Sequence, residues 1–356
     1  MVTERNPILP RSRYNARMVL LPLLLACYGD SAEDTGTKDT GIPLVDSAIV
    51  PIESGDTADT SGMSPTADTA TTAPTGSTGD TALDMCDLLS LTPASITPLN
   101  GYPSSEEFAF DAFGNLVNVD DSADAMFSTP YGGPTTVVAP YSAIEVAGTR
   151  FLPDGDLALC DEWEGAVVRL APDGSRSVIA GGLISPNSIA VKSTGDIYAG
   201  GYGEIVRIHT DGTVERVFER ANTDFDGLAL SPDELTLWIN HDDGGVIGNL
   251  HLDVDGNVTS FESVVELNGS LDGASVDVCG NYYVVTIAGA LWRVSPDGGT
   301  QRLADLGTAG AFYTTAARFG SGYGGWQRDH LYVMDRTGEK IYDVALDVEG
   351  TPMPHW

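Results

Sequence analysis

Apolar residues alternate with small or polar ones in short runs through residues 106 to 350, and the runs repeat. Each copy opens on a small or polar residue, continues as an apolar stretch, turns on Gly or Asp, and returns as a second apolar strand. EEFAFDAFGNLVNVD starts at Glu106, AGTRFLPDGDLALCD at Ala147, NSIAVKSTGDIYAGG at Asn187, DGLALSPDELTLWIN at Asp226 and DGASVDVCGNYYVV at Asp272. A sixth copy, TTAARFG from Thr314, has a longer turn before HLYVMDR. The starts lie 41, 40, 39, 46 and 42 residues apart. β-type alternation at this period predicts a propeller with about four strands in each blade.

A second landmark falls later in the unit. Asp173-Gly174, Asp211-Gly212, Asp255-Gly256, Asp297-Gly298 and Glu349-Gly350 each sit between two short apolar runs. Such pairs mark hairpins, because Gly takes φ > 0 free of a Cβ clash. Two turns at matched phase predict a four-stranded meander. An ordinary β-sandwich is the alternative, but a sandwich has no need to repeat in register. The expected architecture is an all-β, six-bladed propeller over residues 90–356, preceded by a disordered N-terminal tether. Its last repeat holds three clear strands, TTAARFG, HLYVMDR and KIYDVALD. SITPLN at 95–100 is expected to supply the fourth and close the ring, which removes exposed edges.

The chain before the propeller reads differently. Arg5, Arg11, Arg13 and Arg17 precede a short apolar core, MVLLPLLLA from Met18. That core is shorter than the ~20 residues needed to span a bilayer, so residues 1–27 read as a secretion signal. It ends in Leu24-Leu25-Ala26-Cys27, which resembles a bacterial lipobox with Cys27 as the lipidated residue. A plain signal peptide cut near Ala26 is the alternative. Residues 28–89 are rich in Thr, Asp, Ser, Gly and Ala, too polar to repay chain entropy by burial, and are expected to form an acidic linker. The protein is therefore expected to be exported and lipid-anchored to a bacterial membrane, in the periplasm or at the cell surface.

Charge narrows the partners. The formal net charge is −33, of which residues 91–356 carry −25. A propeller this acidic repels nucleic acid and anionic bilayers. The expected partners are a small molecule and a divalent cation, with membrane contact only through the lipid and the protein as a monomer. Of the four Cys, lipidation of Cys27 leaves three. Export permits a disulfide, and Cys86 paired with Cys279 would tie the domain's start to the turn of the fifth repeat. Cys160 follows an apolar strand and reads as a buried small hydrophobe.

Equal phase in a propeller means convergence on the axis. Counting eight back from the turn Gly gives Glu106, Ala147, Asn187 and Asp272; the fourth repeat, one residue longer in its turn, gives Asp226, and the sixth gives Thr314 or Thr315. Four of these are oxygen donors suited to a hard cation, and three are carboxylates that repel one another without one. The alternative is that they cap strand ends, with Asp226-Gly227 and Asp272-Gly273 as ordinary turns. His241 and His330 lie near second strands, off this phase. No Gly-Xaa-Ser-Xaa-Gly elbow, HExxH or phosphate-binding loop occurs.

These stretches resemble the senescence-marker-protein/gluconolactonase group of six-bladed propellers, which includes regucalcin; the looser NHL-type propellers are also similar. The resemblance covers about residues 92 to 353. It rests on Glu106 in SEEFAFD, Asn187 in SPNSIAV, Asp226 in FDGLALSPDELTLWIN and Asp272 in LDGASVDVCGN. The resemblance implies a metal site at Glu106, Asn187, Asp226 and Asp272, holding Ca²⁺ foremost, with Zn²⁺ or Mn²⁺ as alternatives. It implies Asp272 as the catalytic base or nucleophile. The sequence departs from the family pattern in three ways. Glu107 follows Glu106 where the family has Gly-Pro, Asp226 stands for the usual Asn, and Phe108 and Phe110 occur without the family's Trp. The expected function is metal-dependent hydrolysis of a lactone or ester; a non-catalytic surface-binding propeller is the alternative.

Overall fold

The computed structural model describes residues 85–353 apart from 121–122, 142–144 and 243. Cys27, the signal segment 1–27 and linker residues 28–84 lie outside the described residues. The alternating runs form 24 strands, with two short 3-10 turns at Met85–Leu88 and Leu306–Ala309. These strands make six four-stranded antiparallel sheets, five of them from consecutive strands. The inner strands are Phe108–Phe110, Val146–Phe151, Ser188–Val191, Gly227–Leu230, Leu271–Val276 and Thr314–Phe319. Each contacts the next, and the sixth meets the first, so the sheets close into a six-bladed ring.

The sixth blade is built from both ends of the repeat region. Ser95–Asn100 pairs antiparallel with Lys340–Ala345, from Ser95 opposite Ala345 to Asn100 opposite Lys340. It is the outer strand of that blade, the place expected for it from the missing fourth strand. The same closure corrects one expected turn. Glu349-Gly350 is no hairpin, because blade six takes its fourth strand from the other end of the domain. Gly350 instead bridges Asp277 of blade five. The remaining four pairs do connect third to fourth strands, and their glycines take φ of 83° to 85°.

The core lies between blades. Ala158, Cys160 and Val167 of blade two pack on Ile189, Ile197 and Val206 of blade three. Cys160 is fully buried there, and burial pushes its thiol up. The blade six–blade one junction is aromatic. Trp326, from the long turn of blade six, stands 4.9 Å from Phe110 and 4.8 Å from Tyr332 between ring centroids. Burying such rings contributes about 2–3 kcal/mol each by area. Cys86 is disulfide-bonded to Cys279, 193 residues away, with Cα atoms 5.6 Å apart. Arg293 Nη2 donates to the Ser90 carbonyl at 2.8 Å, so the entry segment is held against blade five at a second point.

Candidate active site

The phase positions stand where the inner strands begin. Asn187 and Asp226 immediately precede theirs, Glu106 lies two residues ahead, Ala147 and Asp272 are second residues, and Thr314 and Thr315 open the sixth. Glycine follows in three blades. A Cβ at Gly227 would sit 2.9 Å from the Asp272 carbonyl oxygen, and one at Gly273 would sit 2.4 Å from that of Thr315. Neither glycine is among the residues with positive φ. Asp226-Gly227 and Asp272-Gly273 are therefore not turns. Their glycines let neighbouring inner strands approach backbone to backbone, which draws the preceding acids toward one mouth of the ring.

At that mouth Asn187 donates from Nδ2 to Asp226 Oδ1 at 2.9 Å. Asp272 accepts the Gly273 N–H on Oδ1 at 2.8 Å, and its carbonyl accepts from Asn240 Nδ2 at 2.7 Å. Glu106 Oε2 is ion-paired with Nη1 of Arg336. Burial and the charges of Glu106 and Asp226 push the Asp272 carboxyl well above the usual range. Asp226 is pushed the same way by burial, then by Asp242, Asp224 and Glu106. Glu106, Asp226 and Asp272 thus feel one another across blades one, four and five.

The mouth also holds acids that phase counting misses. Glu162 is pushed up to about 8, first by burial and then by Glu145, which shares a hydrogen bond with it. Asp224 and Glu106 add to this. Glu162 and Arg336 have a common signal: each is the residue directly after its blade's second strand, Leu157–Asp161 and His330–Asp335. His241 occupies that place in blade four. It is buried with its ring 5.2 Å from that of Phe225, edge-on, and burial with the Arg220 charge pushes it down to about 4. It is therefore neutral at pH 7. His330 lies elsewhere, its Nδ1 2.5 Å from Asp343 Oδ1.

The donors fit a hard cation in chemistry and in charge. They offer three carboxylates and an amide oxygen, and buried Asp272 and half-buried Asp226 have no cationic partner among the ion pairs of the described residues. Their present arrangement is not a closed ligand shell. Among the described residues, no three His, Cys, Asp or Glu side chains gather closely enough to grip one ion. A cation there would have to compete with Arg336 for Glu106.

Known proteins match this chain in part of its sequence and most of its fold. The family model described as SMP-30/Gluconolactonase/LRE-like region matches residues 194–337. A gluconolactonase from Xanthomonas campestris is 18% identical, with 72% of this chain and 91% of that one covered at a TM-score of 0.58. The calcium-binding protein regucalcin from Agrobacterium tumefaciens is 16% identical, covering 72% and 94%, also at 0.58. An auxiliary nutrient binding protein from Bacteroides thetaiotaomicron is 12% identical, covering 74% of each chain at 0.57. The likeness is one of fold. No curated protein matches the chain.

Proposed function

We propose that the acidic mouth binds a divalent cation, Ca²⁺ foremost, and hydrolyses a lactone or ester. The observation that carries this reading is the mutual crowding of buried Asp272 with half-buried Asp226 and Glu106, whose negative charge a cation would relieve. The family match over residues 194–337, which include Asp226 and Asp272, supports it. Glu106, Asn187, Asp226 and Asp272 would hold the ion. When bound, it supplies Lewis acidity that polarises a carbonyl and stabilises the developing oxyanion. Asp272 keeps one oxygen beyond its bond to Gly273, and that oxygen activates water or attacks the carbonyl carbon. Glu162, whose carboxyl burial and Glu145 push up at the same mouth, would be the proton donor for the leaving oxygen.

One observation favours a second reading, a non-catalytic binding propeller. The Arg336–Glu106 ion pair already neutralises one of the acids. A panel of lactones and aryl esters, assayed with Ca²⁺, Zn²⁺, Mn²⁺ and EDTA, separates the two. Turnover that EDTA abolishes and one metal restores supports the hydrolase; no metal-dependent turnover on any substrate leaves the binding propeller. The same reading takes the protein as exported and lipid-anchored through Cys27. Cys27→Ser should then move it from the membrane fraction to the soluble one, and unchanged fractionation would sink the anchor.

A further inference from the structure

The ring has a second mouth, and its chemistry is opposite. Three residues further along the inner strands, about 10 Å at strand rise, the six blades present Ala109, Arg150, Ala190, Ala229, Ser275 and Arg318. Four positions are small and two are arginine. In blades two, five and six a bulge falls before this layer, at Val146/Thr149, Leu271/Ala274 and Thr314/Ala316. Bulges re-aim the side chains that follow them. Five of the six residues, all but Ala109, line a cavity of about 480 Å³, with Thr351–Met353 along another part of its wall.

The two arginines flank blade one and converge on a single carboxylate oxygen. Arg150 Nη1 reaches Glu107 Oε2 at 2.5 Å, and Arg318 Nη2 reaches the same atom. Nη1 of Arg318 is taken by the carbonyls of Ala274 and Ala317. Glu107 and Arg318 are buried, at 7% and 4% exposure, and Glu107 Oε1 and Arg318 Nε have no partner. Arg150 lines the cavity and bonds through Nη1, to Glu107 and to the Thr149 carbonyl, and no hydrogen bond from its Nε or Nη2 is found among the described residues. Two enclosed guanidiniums against one carboxylate leave one positive charge unbalanced. Burial and the Arg150 charge accordingly push Arg318 down to about 10. The acids at the rim do not supply the balance. Asp233 accepts from Ser231 Oγ and the Leu235 N–H, and Glu234 holds the Ser193 N–H with Lys192 Nζ 3.6 Å away. The remaining wall mixes hydroxyls, Ser275 and Thr351 among them, with a larger apolar part that includes Leu228, Leu230 and Val276.

We propose that this cavity is a binding site for a small organic acid, its carboxylate on Arg150 and Arg318 and its apolar body against blades three to five. Guanidinium pairs recognise carboxylates through parallel N–H donors. The small side chains at Ala190, Ala229 and Ser275 leave the room that the body needs. This site needs neither a metal nor hydrolysis at the acidic mouth.

The test is calorimetric titration of the purified protein with hexanoate, hexanol and inorganic phosphate, all in EDTA. Saturable hexanoate binding is expected, with hexanol and phosphate at least about tenfold weaker, since one lacks the charge and the other the apolar body. Arg150→Gln should weaken hexanoate by at least about tenfold. Ala229→Leu fills the cavity without touching the charged trio and should do the same, which keeps the test open if the first variant misfolds. Asp272→Asn, at the other mouth, should leave hexanoate binding unchanged. Hexanol or phosphate binding as tightly as hexanoate, full binding in Ala229→Leu, or no hexanoate binding at all would each overturn the assignment.

Discussion

Glu106 and Glu107 are neighbours in sequence and belong to opposite environments. Glu106 joins a mouth where carboxylates outnumber cations, and its charge helps to raise Asp226 and Asp272. Glu107 joins a buried floor where two guanidiniums compete for one oxygen. The same six inner strands supply both, one layer where they begin and the other three residues on. A propeller thus separates charges of opposite sign along its axis by placing them on successive layers rather than on separate domains. The difference also sorts the two acids by role. An acid among acids is worth little to stability and a great deal to cation binding, whereas an acid between buried cations holds the fold.

The largest effect should come at the acidic mouth. Asp272→Ala should lower kcat on whichever lactone or ester the panel identifies by about 10²–10⁴-fold, the span typical of a positioned acid–base group. The far-ultraviolet circular dichroism spectrum should be unchanged, because the buried charge removed was a repulsive one. Asp226→Asn should retain metal binding, measured by Ca²⁺ titration, since an amide oxygen remains a hard donor.

The pair of neighbouring glutamates gives the sharpest contrast in stability. Glu107→Gln leaves Arg150 and Arg318 facing each other in a buried site. Denaturant unfolding should show a loss of about 3–5 kcal/mol, the cost of breaking a buried ion pair from one side. Glu106→Gln should cost less than about 1 kcal/mol, because the lost pair with Arg336 is offset by relief at Asp226 and Asp272. Equal losses from the two variants would erase the distinction between the mouths. A third variant bears on the whole ring rather than on either mouth. Cys279→Ser should cost about 2–4 kcal/mol, the usual contribution of a disulfide, and reducing agent should abolish the difference from the parent.

The fold was readable because its signal is redundant. Six copies of one alternation state the same period, and SITPLN could be placed by the strand that blade six lacks. The phase positions were readable by the same counting. What phase counting could not supply was direction around a bulge. Glu107 read as a departure from a family pattern, and Arg150 and Arg318 carried no signal until the layer three residues on was known to face the axis. For Gly227 and Gly273 an ordinary turn stayed open as the alternative, because sequence shows a missing Cβ and not the φ angle. The close approach of the next inner strand explains them instead. Glu349-Gly350 misled for a related reason, since a local turn signal was outweighed by pairing with the distant Ser95–Asn100. Glu162 and Arg336 follow second strands, a register that only the blade geometry brings to the mouth.

The smallest effect is the one that most directly opposes the two mouths, and it is a pH dependence. Glu162 titrates near 8 when folded, and Asp226 and Asp272 are raised as well. Unfolded, all three release their protons near pH 4. Between pH 4.5 and 8 the folded protein therefore binds more protons than the unfolded chain, so stability falls as pH rises. In EDTA, Tm should drop by several degrees from pH 5 to pH 8. Saturating Ca²⁺ should flatten that slope, because a cation bound by the ionised acids favours the deprotonated folded state and adds stability most where protons have been lost. Glu107→Gln should lower Tm at every pH alike, since Arg318, pushed down to about 10 by burial and the Arg150 charge, stays charged throughout this window. A Tm that instead rises from pH 5 to 8 in EDTA would mean the upper acids are already neutralised by the protein itself, and the case for a cation at that mouth would go with it.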